Sequence, residues 1–485
     1  MNRSIRRSAL MCGLLFFALL LNANYVQFLN AGKYRDSQYN PRRLIEEYDR
    51  ERGEILVAGT PVAKSKPTGG KYNYQRVYPQ GPKYAPITGY YAITGSARGI
   101  ENVENSILNG TDDSLFASRI VDLFSGKPAR GGSVLLTIDP KAQDAAWKAL
   151  RGKEGAIVAL DPQTGAVLAM ASSPSYDPND LASHNPGDVQ KAYNKLIKDP
   201  DKPMLNRALQ ETYPPGSTFK VVTAAAALAS GKFSTGSRLY AAPTLDLPKT
   251  NKSLPNEYHR ACPDGGGDGR TGFEKALEVS CNTAFGSVGL ELGEGVLRQY
   301  AERFGFNSDP KLLGSAESVF PRDLDEPFLA YSAIGQYDVR ATPLQMAMVA
   351  AGIANGGKVM KPYLVQEVRG PDLSTLSRTK PKVLSEAVPP EVAATVAGWM
   401  VNVVENGTGR KARIPGVQVA GKTGTAQQGK NDLPLAWFIS FAPAQNPKVA
   451  VAVVIENGSS DRSEIGGGSL AAPLAKQVME AVLDQ

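Results

Sequence analysis

The 485-residue sequence predicts a mixed α/β catalytic domain behind a small non-catalytic module and one transmembrane helix. Three observations lead there. An apolar run from Ala9 to Leu21 follows Arg3, Arg6 and Arg7, and it continues to Leu29 with polar interruptions at Asn22, Asn24 and Gln27. From residue 133 onward, strand-like runs come first and last and helical ones lie between, so the two ends must meet in one sheet. Before residue 133 no constellation of catalytic residue types occurs. The expected divisions are 1–30 for the cytoplasmic tip and anchor, 31–132 for the module, and 133–485 for the catalytic domain. Two or three domains suit this length, and a hydrophobic share of 42% suits a substantial core.

About 20 helical residues span a bilayer, so the first segment is just long enough. Its preceding arginines predict a cytoplasmic N-terminus and an exported remainder in the cell membrane. The rival is a cleavable signal peptide, but Leu21-Asn22-Ala23 is a poor small-x-small site. Cys12 precedes most of the apolar run, which argues against a lipoprotein anchor. Tyr39 to Ala58 mixes charges and holds the word Arg52-Gly53-Glu54-Ile55. Thr60 to Lys83, rich in Pro, Gly, Lys and Tyr, reads as loop or irregular strand. A helix around Ile100 to Leu108 and a polar break at Asn109-Gly110 follow, with a soft boundary at Gly126 to Gly132.

In the catalytic domain Ser133 to Ile138 is a short strand, and Pro140 to Leu150 a helix capped by Asp139. Ala156 to Leu160 and Ala166 to Ala171 flank Asp161-Pro162-Gln163-Thr164-Gly165, a hairpin signal. The middle includes helices over Phe219 to Leu228, Glu274 to Leu292 and Leu344 to Ala354. Val417 to Thr425, Ala436 to Phe441 and Val449 to Ile455 are strand-like, and Ala471 to Leu483 is a closing amphipathic helix. No internal repeat is visible.

Composition excludes several chemistries. A net charge of +7 without any run of five Lys/Arg does not suggest a nucleic-acid partner. Only His184 and His259 occur, in no metal-like cluster, so neither a zinc site, nor a Ser-His-Asp triad, nor any cofactor is expected. Cys262 and Cys281 would lie outside the cytoplasm, where a disulfide is permitted. The alternatives are that bridge or two buried thiols, and the bridge is preferred.

The candidate chemistry lies in three short words: Ser217-Thr218-Phe219-Lys220, Ser280-Cys281-Asn282 and Lys422-Thr423-Gly424-Thr425. Their order matches a known set for serine acyl-enzymes that use no histidine. Tyr213-Pro214-Pro215-Gly216 cannot be helix interior, so Ser217 stands at a helix start with Lys220 one turn later on the same face. A serine needs a base to become nucleophilic, and a lysine serves only when burial or a nearby cation keeps it neutral. The helix-start amide of Ser217 also suits an oxyanion, and such a donor can supply roughly 3–4 kcal/mol. Gly424, in a strand pattern, would let a substrate backbone approach closely.

Each word has a competitor. Ser377-Arg378-Thr379-Lys380 repeats S-x-x-K in a polar segment, and Ser183-His184-Asn185 repeats S-x-N in a loop. Taken alone, Ser280-Cys281-Asn282 reads as an ordinary helix–turn with a capping residue. Gly416 to Thr423 matches the P-loop expression G-x-x-x-x-G-K-T throughout. Its supposed loop is itself strand-like, and Gln428-Gly429-Lys430-Asn431 follows where a helix should begin.

Taken together the chain resembles the class B penicillin-binding proteins, particularly the actinobacterial penicillin-binding protein A type. The likeness runs over nearly the whole chain. It includes the anchor, Arg52-Gly53-Glu54-Ile55, Asn206-Arg207-Ala208, Ala436-Trp437-Phe438, Gly466-Gly467-Gly468 and Ala471-Ala472-Pro473. The resemblance implies a five-stranded antiparallel sheet flanked by helices. It also implies peptidoglycan D,D-transpeptidase activity on D-Ala-D-Ala stem peptides, acylation by β-lactams, and cell-wall synthesis or division proteins as partners. It assigns Ser217 as nucleophile and Lys220 as its base, with Ser280 and Asn282 relaying protons and positioning the peptide. Lys422, Thr423 and Thr425 would bind the terminal carboxylate, beside Gly424. The amides of Ser217 and Thr425 would form the oxyanion hole. Cys281 departs from many relatives. The competing readings are a D,D-carboxypeptidase, which uses water as acceptor, and a non-catalytic β-lactam sensor or division scaffold.

Overall fold

The structure is a computed structural model and describes residues 3–30, 48–125, 130–262, 269–427, 433–456 and 465–484. Residues 39–47 of the mixed-charge segment, 126–129 of the soft boundary, and Gln428 to Asn431 lie outside the described residues.

Helix α1, Arg3–Asn24, is continued by Tyr25–Leu29. The combined helix is 27 residues long, its best window has a mean hydropathy of 1.9, and none of it is buried. It is long and apolar enough to cross a membrane. Further along the chain the strands are β1 (Ile55–Val57), β2 (Thr60–Pro67), β3 (Tyr74–Val77), β4 (Ser133–Leu136), β5 (Gly155–Leu160) and β6 (Val167–Ser173). They continue with β7 (Val365–Arg369), β8 (Thr375–Arg378), β9 (Ala420–Ala426), β10 (Leu435–Ala442) and β11 (Val449–Ile455). The helices that frame the site are α2 (Pro140–Ala149), α3 (Lys220–Ala229), α4 (Phe273–Glu278), α5 (Asn282–Leu292), α6 (Pro343–Ala354), α7 (Pro390–Glu405) and α8 (Ala472–Leu483).

Two large sheets result. The first has six strands in the order β8-β7-β4-β1-β2-β3. Here β4 does not join the catalytic sheet, as its place in the sequence suggested. It runs parallel to β1, Ile55 opposite Val134, and antiparallel to β7, Val368 opposite Val134. The reason is that a four-residue strand with three buried positions records a burial pattern but not a partner. The expected helix at Ile100 to Leu108 is two separate turns, Ile100–Val103 and Asn105–Leu108. Beneath them Glu101 accepts from Arg52 Nε at 2.7 Å and Arg76 Nε at 2.6 Å, all three side chains being buried. This accounts for the first residue of the Arg52-Gly53-Glu54-Ile55 word. Gly53 supplies a close approach, since a Cβ there would stand 1.7 Å from the Gly132 carbonyl oxygen.

The second sheet has five antiparallel strands in the order β9-β10-β11-β5-β6. Its first two and last three strands in sequence meet where β11 pairs β5, Ala452 opposite Val158. Both faces are covered. Ile157, Ala159, Val451 and Val453 pack toward α2 and α8, while Ala156, Val158, Ala452 and Val454 pack toward the helical middle. A sheet buried on both sides needs continuous apolar runs rather than alternating ones, which is how β5 and β11 read. The Asp161–Gly165 turn joins β5 to β6. Asp161 accepts from the Gln163 amide at 2.8 Å and the Thr164 hydroxyl at 2.7 Å, and Gly165 has φ +81°.

Candidate active site

Pro214, Pro215 and Gly216 carry the chain across the end of β9 and β10. Trp437 Nε1 on β10 donates to the Pro214 carbonyl at 3.1 Å, and the Gly216 amide donates to the Gly335 carbonyl at 2.8 Å. Gly216 sits at φ +53°, and a Cβ on it would lie 2.8 Å from the Thr425 carbonyl oxygen. Both constraints select glycine. Ser217 then falls in a single 3₁₀ turn, Gly216–Phe219, from which α3 starts at Lys220. Ser217 is half-buried, whereas Lys220 is fully buried.

Within the helical stretch expected over Glu274 to Leu292 the chain turns at Ser280, in keeping with the helix–turn reading of that word, and Ser280 adopts φ +60° between α4 and α5. A non-glycine residue in this region is uncommon and costs free energy. The break turns the Ser280 carbonyl out of the helical ladder, and Lys220 Nζ donates to it at 2.7 Å. The same Nζ lies 2.7 Å from Asn282 Oδ1 and 3.3 Å from Ser280 Oγ. Cys281, between them, is bridged to Cys262 with the Cα atoms 5.9 Å apart.

Lys422, on β9, reaches the same hydroxyl from the other side, with Nζ 2.9 Å from Ser280 Oγ and 2.9 Å from the Thr423 carbonyl. Ser280 therefore stands between two buried amines. Burial holds the Lys220 ammonium well below its ordinary pKa, the nearby Lys422 charge lowers it further, and Glu257 only partly opposes them. Burial pushes Lys422 down to about 7, again opposed by Glu257. Each shift is in the direction expected when burial and a like charge disfavour the charged form.

Strand alternation puts Thr423 and Thr425 on the face opposite Lys422 and Gly424. Thr423 Oγ1 pairs with Thr408 Oγ1 at 2.6 Å, and Thr425 is exposed. Gly424 serves a different neighbour from the one expected. A Cβ there would meet Thr218 Cγ2 at 2.9 Å and the Pro215 carbonyl oxygen at 3.0 Å. It admits the protein's own nucleophile turn against the strand, rather than only a substrate backbone.

The competing words lie elsewhere. Ser377 and Arg378 are on the edge strand β8 of the six-stranded sheet. Asn185 caps the helix Pro186–Lys198, and His184 packs against Tyr48 and Tyr72. The P-loop match is strand from Ala420 through Ala426, with Lys422 buried. Among the described residues no group of three or more His, Cys, Asp or Glu is placed to hold a metal. Sequence reading missed Thr408 and Glu257. Neither belongs to a motif: Thr408 meets Thr423 from 15 residues away, and Glu257 bears on the two lysines through its charge.

Residues 155–480 match the penicillin binding protein transpeptidase domain, and residues 52–134 match the penicillin binding protein A dimerisation domain. The peptidoglycan D,D-transpeptidase PbpA of Mycolicibacterium smegmatis is 46% identical, over 100% of this chain and 99% of its own length. The PbpA of Mycobacterium tuberculosis is likewise 46% identical over the same shares. The M. tuberculosis penicillin-binding protein A solved as a ceftriaxone acyl-enzyme complex superposes with a TM-score of 0.87 at 46% identity, covering 90% of this chain and 100% of that one. With an antiparallel five-stranded sheet, a helix-start serine and two buried lysines sharing one hydroxyl, the chain belongs to the class B penicillin-binding proteins, in their penicillin-binding protein A type.

Proposed function

We propose that this protein is a peptidoglycan D,D-transpeptidase that cross-links D-Ala-D-Ala stem peptides through an acyl-enzyme on Ser217 and is acylated there by β-lactams. One observation carries the assignment of roles. The Ser280 hydroxyl is held at 2.9 Å by Lys422 and lies 3.3 Å from Lys220, two buried amines whose proton affinity is lowered. A neutral Lys220 can take the proton from Ser217 as its oxygen attacks the penultimate D-Ala carbonyl. The proton then passes by way of Ser280 to the leaving amine, so that terminal D-Ala departs and an ester remains. At the open edge of β9 the still-charged Lys422 attracts the terminal carboxylate from one face, and Thr423 and Thr425 offer hydroxyls from the other. The amides of Ser217 and Thr425 receive the developing oxyanion, each such donor supplying roughly 3–4 kcal/mol. Asn282, whose Nδ2 donates to the Pro255 carbonyl at 3.0 Å, keeps its Oδ1 on Lys220.

The anchor places the remaining chain outside the cytoplasm in this reading, with the N-terminus inside. That follows from Arg3, Arg6 and Arg7 ahead of the apolar helix. Labelling of the full chain by fluorescent penicillin, compared with Ser217→Ala, tests the nucleophile. Strong labelling of the wild type and none of the variant is expected, and equal labelling would remove Ser217 from the role. Muropeptides after depletion separate the acceptors: fewer cross-linked dimers for a transpeptidase, more pentapeptide for a carboxypeptidase.

A further inference from the structure

Glu257 makes no contact in the acylation step, although its charge bears on Lys220 and Lys422. It is exposed, in the turn Glu257–His259, and the two residues before it are fastened to the Ser280–Asn282 motif. Asn282 Nδ2 donates to the Pro255 carbonyl at 3.0 Å, the Thr283 amide to Asn256 Oδ1 at 2.9 Å, and Asn256 Nδ2 to Thr283 Oγ1 at 3.1 Å. This bridge carries the backbone of Glu257 from the catalytic motif out to solvent. Among the described residues its carboxylate is the acidic group whose field reaches both Lys220 and Lys422. It is nevertheless not among the hydrogen-bond partners of either Nζ, which are Ser280 and Asn282 for Lys220 and Ser280 and the Thr423 carbonyl for Lys422. An exposed acid one residue beyond the hydrogen bonds that tie Asn256 to the start of α5, not held by the site's own cations, stays available to a third one.

The two substrates differ in the charge they bring. The donor ends in a carboxylate, which Glu257 repels. The acceptor is an amine, cationic at neutral pH. We propose that Glu257 is an acceptor-specificity residue, drawing the ammonium group of the acceptor to the acyl-enzyme ahead of water and neutral nucleophiles. This rests on the acyl-transfer reading above. In the step, the ammonium first gives one proton to solvent. The free amine nitrogen then bonds to the ester carbonyl carbon and the bond from that carbon to Ser217 Oγ breaks. The amine's second proton passes through Lys220 to Ser217 Oγ, leaving an amide and the restored hydroxyl.

The test partitions one acyl-enzyme among competing nucleophiles. The full chain is acylated with a D-Ala thioester in the presence of D-alaninamide and methanol, and amide, methyl ester and free acid are quantified by chromatography. Glu257→Gln is expected to lower the amide-to-ester ratio about threefold to fivefold, the size an exposed charge pair supports. Glu257→Asp keeps most of the wild-type ratio. Added salt lowers the ratio for wild type and leaves the Gln variant unmoved, a screening signature that a purely structural role lacks. A wild-type ratio in the Gln variant, an Asp variant as impaired as Gln, or a salt-independent wild-type ratio overturns the proposal. Product formation by Ser217→Ala equal to wild type would instead bring down the underlying serine assignment, and is recognised by the summed products rather than by their ratio.

Discussion

The Ser280 hydroxyl has a lysine on either side, and the order in which those lysines lose their protons sets the working pH. Burial and the neighbouring Lys422 charge favour a neutral Lys220, while Lys422 keeps its charge until about 7. A window therefore exists in which the base is free and the carboxylate anchor is still cationic. The second-order rate of acylation by benzylpenicillin is expected to rise on the acid side as Lys220 deprotonates. It should fall on the alkaline side near 7, because this rate constant reports the free enzyme's groups. A profile with no alkaline fall would remove Lys422 from carboxylate binding. Ser280→Ala deletes the shared hydroxyl and leaves the amines facing a void. Acylation should slow by about 10²–10⁴-fold, the range of a lost proton-transfer partner, with the thermal midpoint little changed. Ser217 and Lys220 are legible in sequence because Pro-Pro-Gly and a helix pattern meet there. Ser280 is legible as part of its word, but its left-handed conformation is not, because such a residue inside a helical pattern leaves no local signature. Glu257 is not legible either, since its place depends on hydrogen bonds from Pro255 and Asn256 to a helix start that lies farther along the chain.

Two elements are pressed together to make the nucleophile turn, the strand β9 and the residues Pro215 to Thr218. Gly424→Ala would place a methyl group 2.9 Å from Thr218 Cγ2. Overpacking of this kind costs about 1–3 kcal/mol. A displacement near 1 Å at the nucleophile slows acylation by about 10²-fold. Stopped-flow acylation and thermal melts measured together check this: a melt that drops with an unaltered rate would mean that the turn does not move. The Cys262–Cys281 bridge closes a loop with a sequence separation of 19 immediately before α5. Replacing both cysteines by serine is expected to cost about 3 kcal/mol from loop entropy, read by denaturant unfolding. The strands of the five-stranded sheet are legible because burial on both faces makes their runs continuously apolar. β4 misleads because four residues with one buried pattern suit either sheet equally.

At the scale of the molecule, the six-stranded sheet joins chain segments more than two hundred residues apart, since β7 lies between β4 and β8. Its far side rests on Glu101, whose carboxyl burial alone would raise. Arg76 and Arg52 outweigh that and hold it below its ordinary pKa. Glu101→Gln leaves two buried guanidinium groups without a counter-charge, a loss of about 3–5 kcal/mol. Unfolding monitored by tyrosine fluorescence should show an early transition in the N-terminal module, with penicillin acylation retained below it. Simultaneous loss of acylation would mean that the two sheets unfold as one unit. The interleaved ladder also bears on how such proteins exchange parts in evolution. Homologous recombination that replaced only the segment carrying β1 to β4 would set a foreign β4 against a resident β7, with Val134 and Val368 no longer selected together. Viable chimeras are therefore expected to inherit residues 365–378 from the same parent as the N-terminal module, so that two distant stretches of the gene travel as one heritable unit.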